Sequence, residues 1–97
     1  MIGRQIVIEN YLDSESRVTH WPARKRREAR LMILRYLAEK FEFGQKYSEK
    51  QVNEIIKVNH LFNDHALMRR ELVDAGLMGR VPDGSVYWRI EALVEQL

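Results

Sequence analysis

The chain of 97 residues contains no cysteine, two prolines and five scattered glycines. The absence of cysteine excludes a disulfide framework, a thiolate metal site and a cysteine nucleophile, and it favours a cytoplasmic location. No apolar run approaches the roughly 18 residues of a membrane-spanning helix, and residues 1–4 do not resemble the start of a signal peptide. We therefore expect a cytoplasmic globular protein without a membrane partner.

An excess of one charge is also lacking. Sixteen Lys and Arg residues against fourteen Asp and Glu residues give a net charge of +2, which is too small to identify a nucleic-acid binder. The distribution is less even, because residues 24–30 contain five cations and one anion. This run is either the solvated start of a helix or a patch that contacts phosphate groups. Trp21 precedes it, and an aromatic ring beside cations can mark a groove for nucleic acid or peptide.

Catalytic and metal-binding motifs are missing as well. His60 and His65 lie five residues apart across a predicted helix start, with Asp64 between them, and His20 is remote, so we expect no metal site. The sequence has no glycine-rich phosphate loop, no nucleophile elbow and no His/acid pair at motif spacing. We therefore expect neither an enzyme nor a bound cofactor.

Helical spacing of apolar residues dominates the first half of the chain. Ile8, Tyr11 and Leu12 predict a helix over residues 4–13, followed by a turn at 13–16 and an extended segment that ends at Pro22. A second helix is predicted over residues 23–40. Its main apolar face is predicted to contain Leu31, Leu34, Leu37, Ala38 and Phe41. Met32, Ile33 and Tyr36 broaden this face, so we expect a central helix that is buried on two sides.

Capping and turn signals dominate the second half. Ser48 and Gln51 form a capping-box pattern at the start of a helix that ends near residue 58, after a short extended pair at 46–47. A further helix is predicted from Asp64 to Ala75, with Gly76 as its stop. Asp83-Gly84 between apolar residues predicts a β-hairpin over residues 79–89, and a short helix is expected over 90–97.

The order of these elements indicates a mainly α protein with a small β-hairpin, in a single winged helix-turn-helix-like domain. Residues 1–22 would form an N-terminal helix and extended arm, residues 23–89 the winged-helix core, and residues 90–97 a C-terminal helix or tail.

Four segments carry a resemblance to a known family. They are Leu31-x-x-Leu34-x-x-Leu37-Ala38-x-x-Phe41-Glu42, then Tyr47-Ser48-Glu49-x-x-Val52-Asn53-x-Ile55-Ile56, then Asp64-x-Ala66-x-Met68-Arg69-Arg70-Glu71-Leu72-Val73-Asp74-x-Gly76-Leu77-Met78-x-Arg80, then Tyr87-Trp88-Arg89. With the residues between them, they resemble an uncharacterised bacterial family that occurs as the C-terminal domain of ArsR-like transcriptional regulators. The resemblance covers about residues 8–90. It implies a winged-helix-like fold and a role in transcription regulation, and it implies no active site.

The leading hypothesis is a bacterial transcriptional regulator that binds double-stranded DNA. The helix at 64–75 would enter the major groove and the hairpin at 79–89 would act as the wing. The groove candidates are His65, Arg69 and Arg70. The phosphate candidates are Arg24, Lys25, Arg26, Arg27, Lys57 and Arg80.

An alternative hypothesis follows from the acidic residues in the same region. Glu71, Asp74 and Asp83 would repel phosphate, Arg70 can pair with Asp74 four residues later, and Arg69 can pair with a neighbour. The chain would then be a protein-interaction, dimerisation or sensory module of a regulator, without direct DNA contact. Its partner would be another regulator protein. Under either hypothesis, the helix at 4–12 can pair with the same helix of a second copy in a homodimer, provided that it is not folded onto the core.

Overall fold

A computed structural model describes residues 7–91 of the chain. These residues form three α-helices, a three-stranded antiparallel sheet and one short 3-10 helix, Ile8–Tyr11. The helices are α1 (Arg27–Ala38), α2 (Glu49–Lys57) and α3 (His65–Asp74). The strands are β1 (Lys46–Tyr47), β2 (Met78–Arg80) and β3 (Tyr87–Arg89). In this part of the chain, no helix combines the length and the apolar character that a bilayer crossing requires.

The predicted hairpin is present and belongs to a larger sheet. Strands β2 and β3 pair antiparallel, and β1 pairs with the other side of β3, which gives the strand order β1-β3-β2. Tyr87 therefore lies between Tyr47 and Arg80. Because β1 covers one edge of the hairpin, the fold is mixed α and β rather than mainly α.

Helix α1 begins at Arg27, whereas the sequence analysis placed its start at residue 23. Residues 23–26 form a turn in which the Arg26 amide donates to the Ala23 carbonyl over 2.8 Å. The positive end of the helix dipole disfavours cations in the first turn. A start at residue 23 would have placed four consecutive cations there, and the later start removes three of them from the helix.

The inner face of α1 matches the prediction at Leu34, Leu37, Ala38 and Phe41, which are buried, and differs from it at Leu31. Ile33 and Leu37 lie at its centre and are 0% and 1% exposed, whereas Leu31 is 37% exposed and lies outside the core. Met32 and Tyr36 are half-buried on the outer side. The apolar run at 31–34 is compatible with two helix faces, and packing against the rest of the fold selects the one centred on Ile33.

The caps of α2 and α3 confirm the prediction. The Ser48 hydroxyl accepts from the Gln51 amide and the Gln51 side chain accepts from the Ser48 amide, which forms a complete capping box. The Asp64 carboxylate accepts from the Leu67 amide at the start of α3. Gly76 has φ 78° and ends α3, where the Leu77 amide donates to the Leu72 carbonyl in a Schellman motif.

The N-terminal segment is less helical than predicted. Within the helix expected at 4–13, residues 4–6 lie outside the described residues, and the remainder forms only the 3-10 helix before Leu12 becomes extended. Val18 then bridges to Leu12 and to His60. Its amide donates to the Asn59 carbonyl over 2.8 Å. The segment is therefore tied to the α2–α3 connection, and these non-local bonds replace a longer helix.

The hairpin turn is longer than a two-residue Asp-Gly turn. The Val81 amide donates to the Val86 carbonyl, and the Gly84 amide donates to the Val81 carbonyl. Pro82 thus occupies the second position of a β-turn, where its fixed φ is favourable. The Asp83 carboxylate accepts from the Ser85 amide over 2.9 Å. Hydrogen bonding from the Ser85 hydroxyl, together with this amide, holds the pKa of Asp83 below its usual value. After β3, Ile90 and Glu91 have no regular structure, and residues 92–97 of the predicted C-terminal helix lie outside the described residues.

The core lies between the three helices, the sheet and the N-terminal segment. Each contributes buried apolar side chains, and the larger ones are Tyr11, Val18, Ile33, Leu34, Leu37, Phe41, Val52, Ile56, Met68, Leu72, Met78 and Tyr87. Met68 and Leu72 anchor α3, whereas Ala75 at its end is exposed.

A buried histidine links the two helices on either side of the α2–α3 connection. The His60 side chain is 5% exposed. Its Nδ1 lies 2.7 Å from the Ile56 carbonyl oxygen, and its Nε2 accepts from the Asp64 amide over 2.9 Å. A carbonyl can only accept, so the ring carries its proton on Nδ1. His60 therefore bonds the last turn of α2 to the N-cap residue of α3, and it is not a metal ligand in this arrangement.

We predict that His60→Phe lowers the free energy of unfolding by about 2 kcal/mol, because the ring volume is kept while the Ile56 carbonyl and the Asp64 amide lose their partner. Urea denaturation measures this value. The control is His20→Phe at an exposed position, where a change below about 0.5 kcal/mol is expected. Equal small effects of both substitutions would contradict the proposed link.

A side chain at position 79 would collide with Trp88 on the paired strand. A Cβ atom on Gly79 would lie 2.5 Å from Cε2 of Trp88. Gly79→Ala should reduce the free energy of unfolding by about 2 kcal/mol through overpacking. In a Trp88→Val background the same substitution should cost less than about 1 kcal/mol, since the ring is gone. An equal loss of unfolding free energy in the two backgrounds would show that the Trp88 ring is not the reason why position 79 requires glycine.

Candidate functional site at the junction of α2, α3 and the hairpin

A cleft of about 340 Å³ separates α3 from the hairpin formed by β2 and β3. Helix α3 lines one wall, the hairpin lines the other, and the first turn of α2 closes one side. The lining residues are Glu49, Ala66, Arg69, Arg70, Val73, Asp74, Arg80, Asp83, Gly84 and Tyr87. The sequence analysis assigned these two walls to the recognition helix and the wing.

The cleft is polar and its charges balance. Its arginines are Arg69, Arg70 and Arg80, and its carboxylates are Glu49, Asp74 and Asp83. Three positive and three negative groups leave no net charge in the cleft at neutral pH. Attraction of a phosphate backbone would therefore depend on where each arginine points and on which of them are already paired.

Arg69 is held by residues of α2. Its Nη1 donates to the Asn53 side-chain oxygen, and its Nη2 lies 3.8 Å from the Glu49 carboxylate. The Arg69 side chain is only 21% exposed. This contact matches the alternative in which Arg69 pairs with a neighbour. The guanidinium fixes α3 against α2, and base contact would require it to leave both partners.

Glu49 also contacts the hairpin. Its Oε1 lies 3.5 Å from the Tyr87 hydroxyl, which donates to it. A Cβ atom on Gly84, which is buried, would lie 3.3 Å from the same oxygen. The turn of the hairpin thus rests on the first turn of α2, and Glu49 connects it to Arg69. Sequence analysis missed Glu49 and Asn53 because their partners are distant in the chain.

Arg70 and Arg80 are the exposed cations of the cleft. The local pair between Arg70 and Asp74 is not formed, since the ion pairs within residues 7–91 involve Arg17 and Arg69. Arg80 makes one long bond of 3.4 Å to the Pro82 carbonyl. Both guanidinium groups are therefore available to an anionic ligand, one from each wall of the cleft.

His65 lies at the first position of α3, with its Nδ1 buried and without a hydrogen-bond partner. Burial lowers the pKa of His65 below its ordinary value of 6.5, and the positive charges of Lys57 and Arg69 lower it further. A histidine with a lowered pKa is neutral at pH 7. His65 therefore brings no positive charge to a phosphate group.

The remaining predicted contacts lie outside the cleft. Lys57 is exposed at the end of α2, and the run Arg24, Lys25, Arg26 and Arg27 is exposed before and at the start of α1. Arg26 donates to the Tyr11 hydroxyl over 3.3 Å. Trp21 is covered by Arg30, whose guanidinium carbon lies 4.7 Å from the centre of the indole ring. The structure thus brings Arg69, Arg70 and Arg80 together, and it places the other six predicted residues elsewhere.

A metal site is not apparent in the part of the chain that the structure describes, where three or more His, Asp or Glu side chains do not come together in a ligand arrangement. This applies to the three histidines that the sequence analysis considered. His60 has both ring nitrogens engaged, and His20 contacts Thr19 and the ring of Tyr11.

We predict that protonation of His65 destabilises the folded chain. Its pKa is lower in the folded chain than in the unfolded chain, so the unfolded state binds the proton more tightly and stability decreases as the pH falls below about 6.5. An NMR titration of the ring should give a midpoint below 6.5. Lys57→Gln should raise the midpoint, while Lys50→Gln, which also removes a cation from α2, should leave it unchanged. A midpoint at or above the ordinary value would contradict the described burial.

Comparison with known proteins gives one match. The pattern of a family described as "Uncharacterized protein conserved in bacteria (DUF2087)" matches residues 17–89. Comparison with curated proteins and with solved structures gave no match. The matched residues contain α1, α2, α3 and all three strands, and therefore both walls of the cleft. This match does not include a link to ArsR-like regulators. The chain belongs to the DUF2087 family of conserved bacterial proteins.

Proposed function

We propose that this chain is a winged helix-turn-helix protein that binds double-stranded DNA in bacterial transcription regulation. Helix α3 is the proposed recognition helix, and the β2–β3 hairpin is the proposed wing. The single observation that carries the proposal is the cleft in which two exposed arginines, Arg70 and Arg80, approach from the helix and from the hairpin.

The order of the elements supports this proposal. Helices α2 and α3 are joined by a short connection, and a hairpin follows α3 directly. A helix-turn-helix protein uses its first helix as a brace and its second helix as the element that enters the major groove. Here Arg69 and His60 connect α3 to α2, and the side of α3 that faces away from the core exposes Ala66 and Arg70.

The side-chain contacts seen in the structure reduce the number of residues that we propose to contact DNA directly. Arg70 and Arg80 are the proposed primary contacts, one for the groove and one for the backbone. Arg69 acts as a positioning residue because α2 already binds its guanidinium. His65 is neutral and would contribute through shape or hydrogen bonding only. The exposed cations at 24–27 and Lys57 remain proposed phosphate contacts, each worth one released counterion.

The charge balance of the cleft favours a second candidate function, a protein-interaction or sensory module of a regulator without DNA contact. Glu49, Asp74 and Asp83 offset the three arginines. A cleft with alternating charges suits a polar protein surface better than a uniform polyanion. The two candidate functions differ in whether the chain attracts the phosphate charges of DNA. The salt dependence of its affinity for DNA therefore distinguishes them.

The test measures binding of the full chain to a mixed-sequence DNA duplex by fluorescence anisotropy at two salt concentrations. With the six proposed phosphate contacts, Arg24, Lys25, Arg26, Arg27, Lys57 and Arg80, affinity should fall roughly 1000-fold between about 50 and 200 mM salt. The double variant Arg70→Ala/Arg80→Ala should bind at least about tenfold more weakly at the lower salt concentration. Lys40→Ala is the matched control, since Lys40 is an exposed cation outside the cleft.

The outcomes distinguish the candidates. Loss of affinity in the double variant and less than about a twofold change in Lys40→Ala supports DNA binding through the cleft. Equal losses in both variants point to diffuse charge attraction and contradict a role for the cleft. The absence of binding by the wild-type chain at low salt contradicts DNA binding and favours the interaction module.

A further inference from the structure

The outer face of α1 carries an apolar groove of about 330 Å³ that the proposed DNA-binding cleft does not use. Leu31, Met32 and Tyr36 line it from the helix, and Ile8 lines it from the 3-10 helix. Leu31 is 37% exposed, and the face of α1 opposite to it is in the core. Ile8, Met32 and Tyr36 are half-buried around it, so the groove offers a small apolar surface that another protein can cover.

The charged residues of the groove lie along its middle. Glu28 and Arg35 are seven residues apart, so on a helix of 3.6 residues per turn they fall within about 20° of the same line. Leu31 and Met32 lie between them along the axis, one on each side of that line. The stretch from Glu28 to Arg35 therefore presents, along the helix, an acid, two apolar side chains and a base, and a second acid, Glu39, lines the groove one turn beyond Arg35.

This pattern is complementary to itself when reversed. If two α1 helices pack antiparallel about a twofold axis that passes between Leu31 and Met32, Glu28 of one copy faces Arg35 of the partner subunit. The same axis brings Leu31 against Leu31 of the partner subunit on one side. It brings the two Met32 side chains together on the other side. The twofold axis repeats the contact between Glu28 and Arg35, so the dimer contains two such ion pairs.

The groups required for this contact are available within each chain. Glu28 and Arg35 are exposed, and neither takes part in an ion pair among residues 7–91. The axes of two packed helices lie 8–10 Å apart. A glutamate and an arginine that extend towards each other can span this distance. A parallel arrangement would instead place Glu28 beside Glu28 and Arg35 beside Arg35, so like charges would repel.

We propose that a second copy of this chain binds the outer face of α1, in an antiparallel homodimer with Glu28–Arg35 ion pairs around a Leu31 and Met32 centre. This interface differs from the dimer contact through residues 4–12 that the sequence suggested. It is also independent of the proposed DNA binding, because assembly is measured without DNA.

The experiment is sedimentation equilibrium of the full chain and of charge-reversal variants. Glu28→Arg places two arginines opposite each other twice, and Arg35→Glu does the same with two glutamates. Each variant alone should dissociate at least about tenfold more readily than the wild-type chain. An equimolar mixture of the two variants restores both ion pairs and should recover the wild-type dissociation constant, as should the double variant Glu28→Arg/Arg35→Glu.

A central substitution tests the apolar part of the contact. Leu31→Glu should give a monomer, and it should keep the wild-type melting temperature within a few degrees because Leu31 lies outside the core. The matched control is Leu61→Glu, which alters an exposed leucine away from α1 and should leave the dimer intact. Melting curves of both variants verify folding.

Two results would overturn the proposal. One is a wild-type chain that sediments as a monomer up to millimolar concentration. The other is a dimer that persists unchanged in Glu28→Arg, Arg35→Glu and Leu31→Glu, because such a dimer would use another surface. Recovery of the dimer in the mixed variants, together with dissociation of each single variant, would identify the antiparallel arrangement.

Discussion

The orientation of α3 is the constraint on which the rest of this structure depends. Its inner residues Met68 and Leu72 are almost fully buried, and burial of two side chains of this size contributes roughly 2–3 kcal/mol each. Apolar contact is not directional, so it fixes the depth of the helix better than its rotation. The directional contacts come from His60 at its N-terminal end and from Arg69 in its first turns. Together they set which side of α3 faces the hairpin.

These contacts give the two arginines of α3 different roles. Two adjacent arginines on a recognition helix would be assigned the same role from sequence. In the fold they diverge by about 100° around the helix axis, so Arg69 turns towards Glu49 and Asn53 while Arg70 turns towards the open cleft. One arginine stabilises the geometry that presents the other. Glu49 extends this arrangement to the hairpin through the Tyr87 hydroxyl.

The distribution of charge has a related consequence. The cleft has balanced charges, and the exposed cations before and at the start of α1 lie outside it. A single copy of the chain therefore offers few phosphate contacts from its cleft. Assembly of two copies would double the number of clefts, and linked sites bind one ligand more tightly than either site alone. Dimerisation and DNA binding, both proposals, would in that case reinforce each other.

The sequence alone determined the elements that depend on local chemistry. The capping box at Ser48, the N-cap at Asp64, the αL stop at Gly76 and the hairpin around Asp83 and Gly84 were all predictable, because each involves residues within a few positions of one another. The order of the helices and the hairpin followed from them. Apolar spacing alone predicts a start of α1 that is too early, because the cations at 24–26 are unfavourable at the positive end of the helix dipole.

Only the tertiary structure decided that Leu31 lies outside the core face of α1, how far the N-terminal segment departs from a helix, and which residues Arg69 contacts. Leu31 and Ile33 fit the helical pattern equally well, and packing against the other elements chose Ile33. The partners of Arg69 and Val18 lie on other elements, at Asn53 and Asn59. Contacts between residues so far apart in the chain form only when the chain folds, and no local pattern records them.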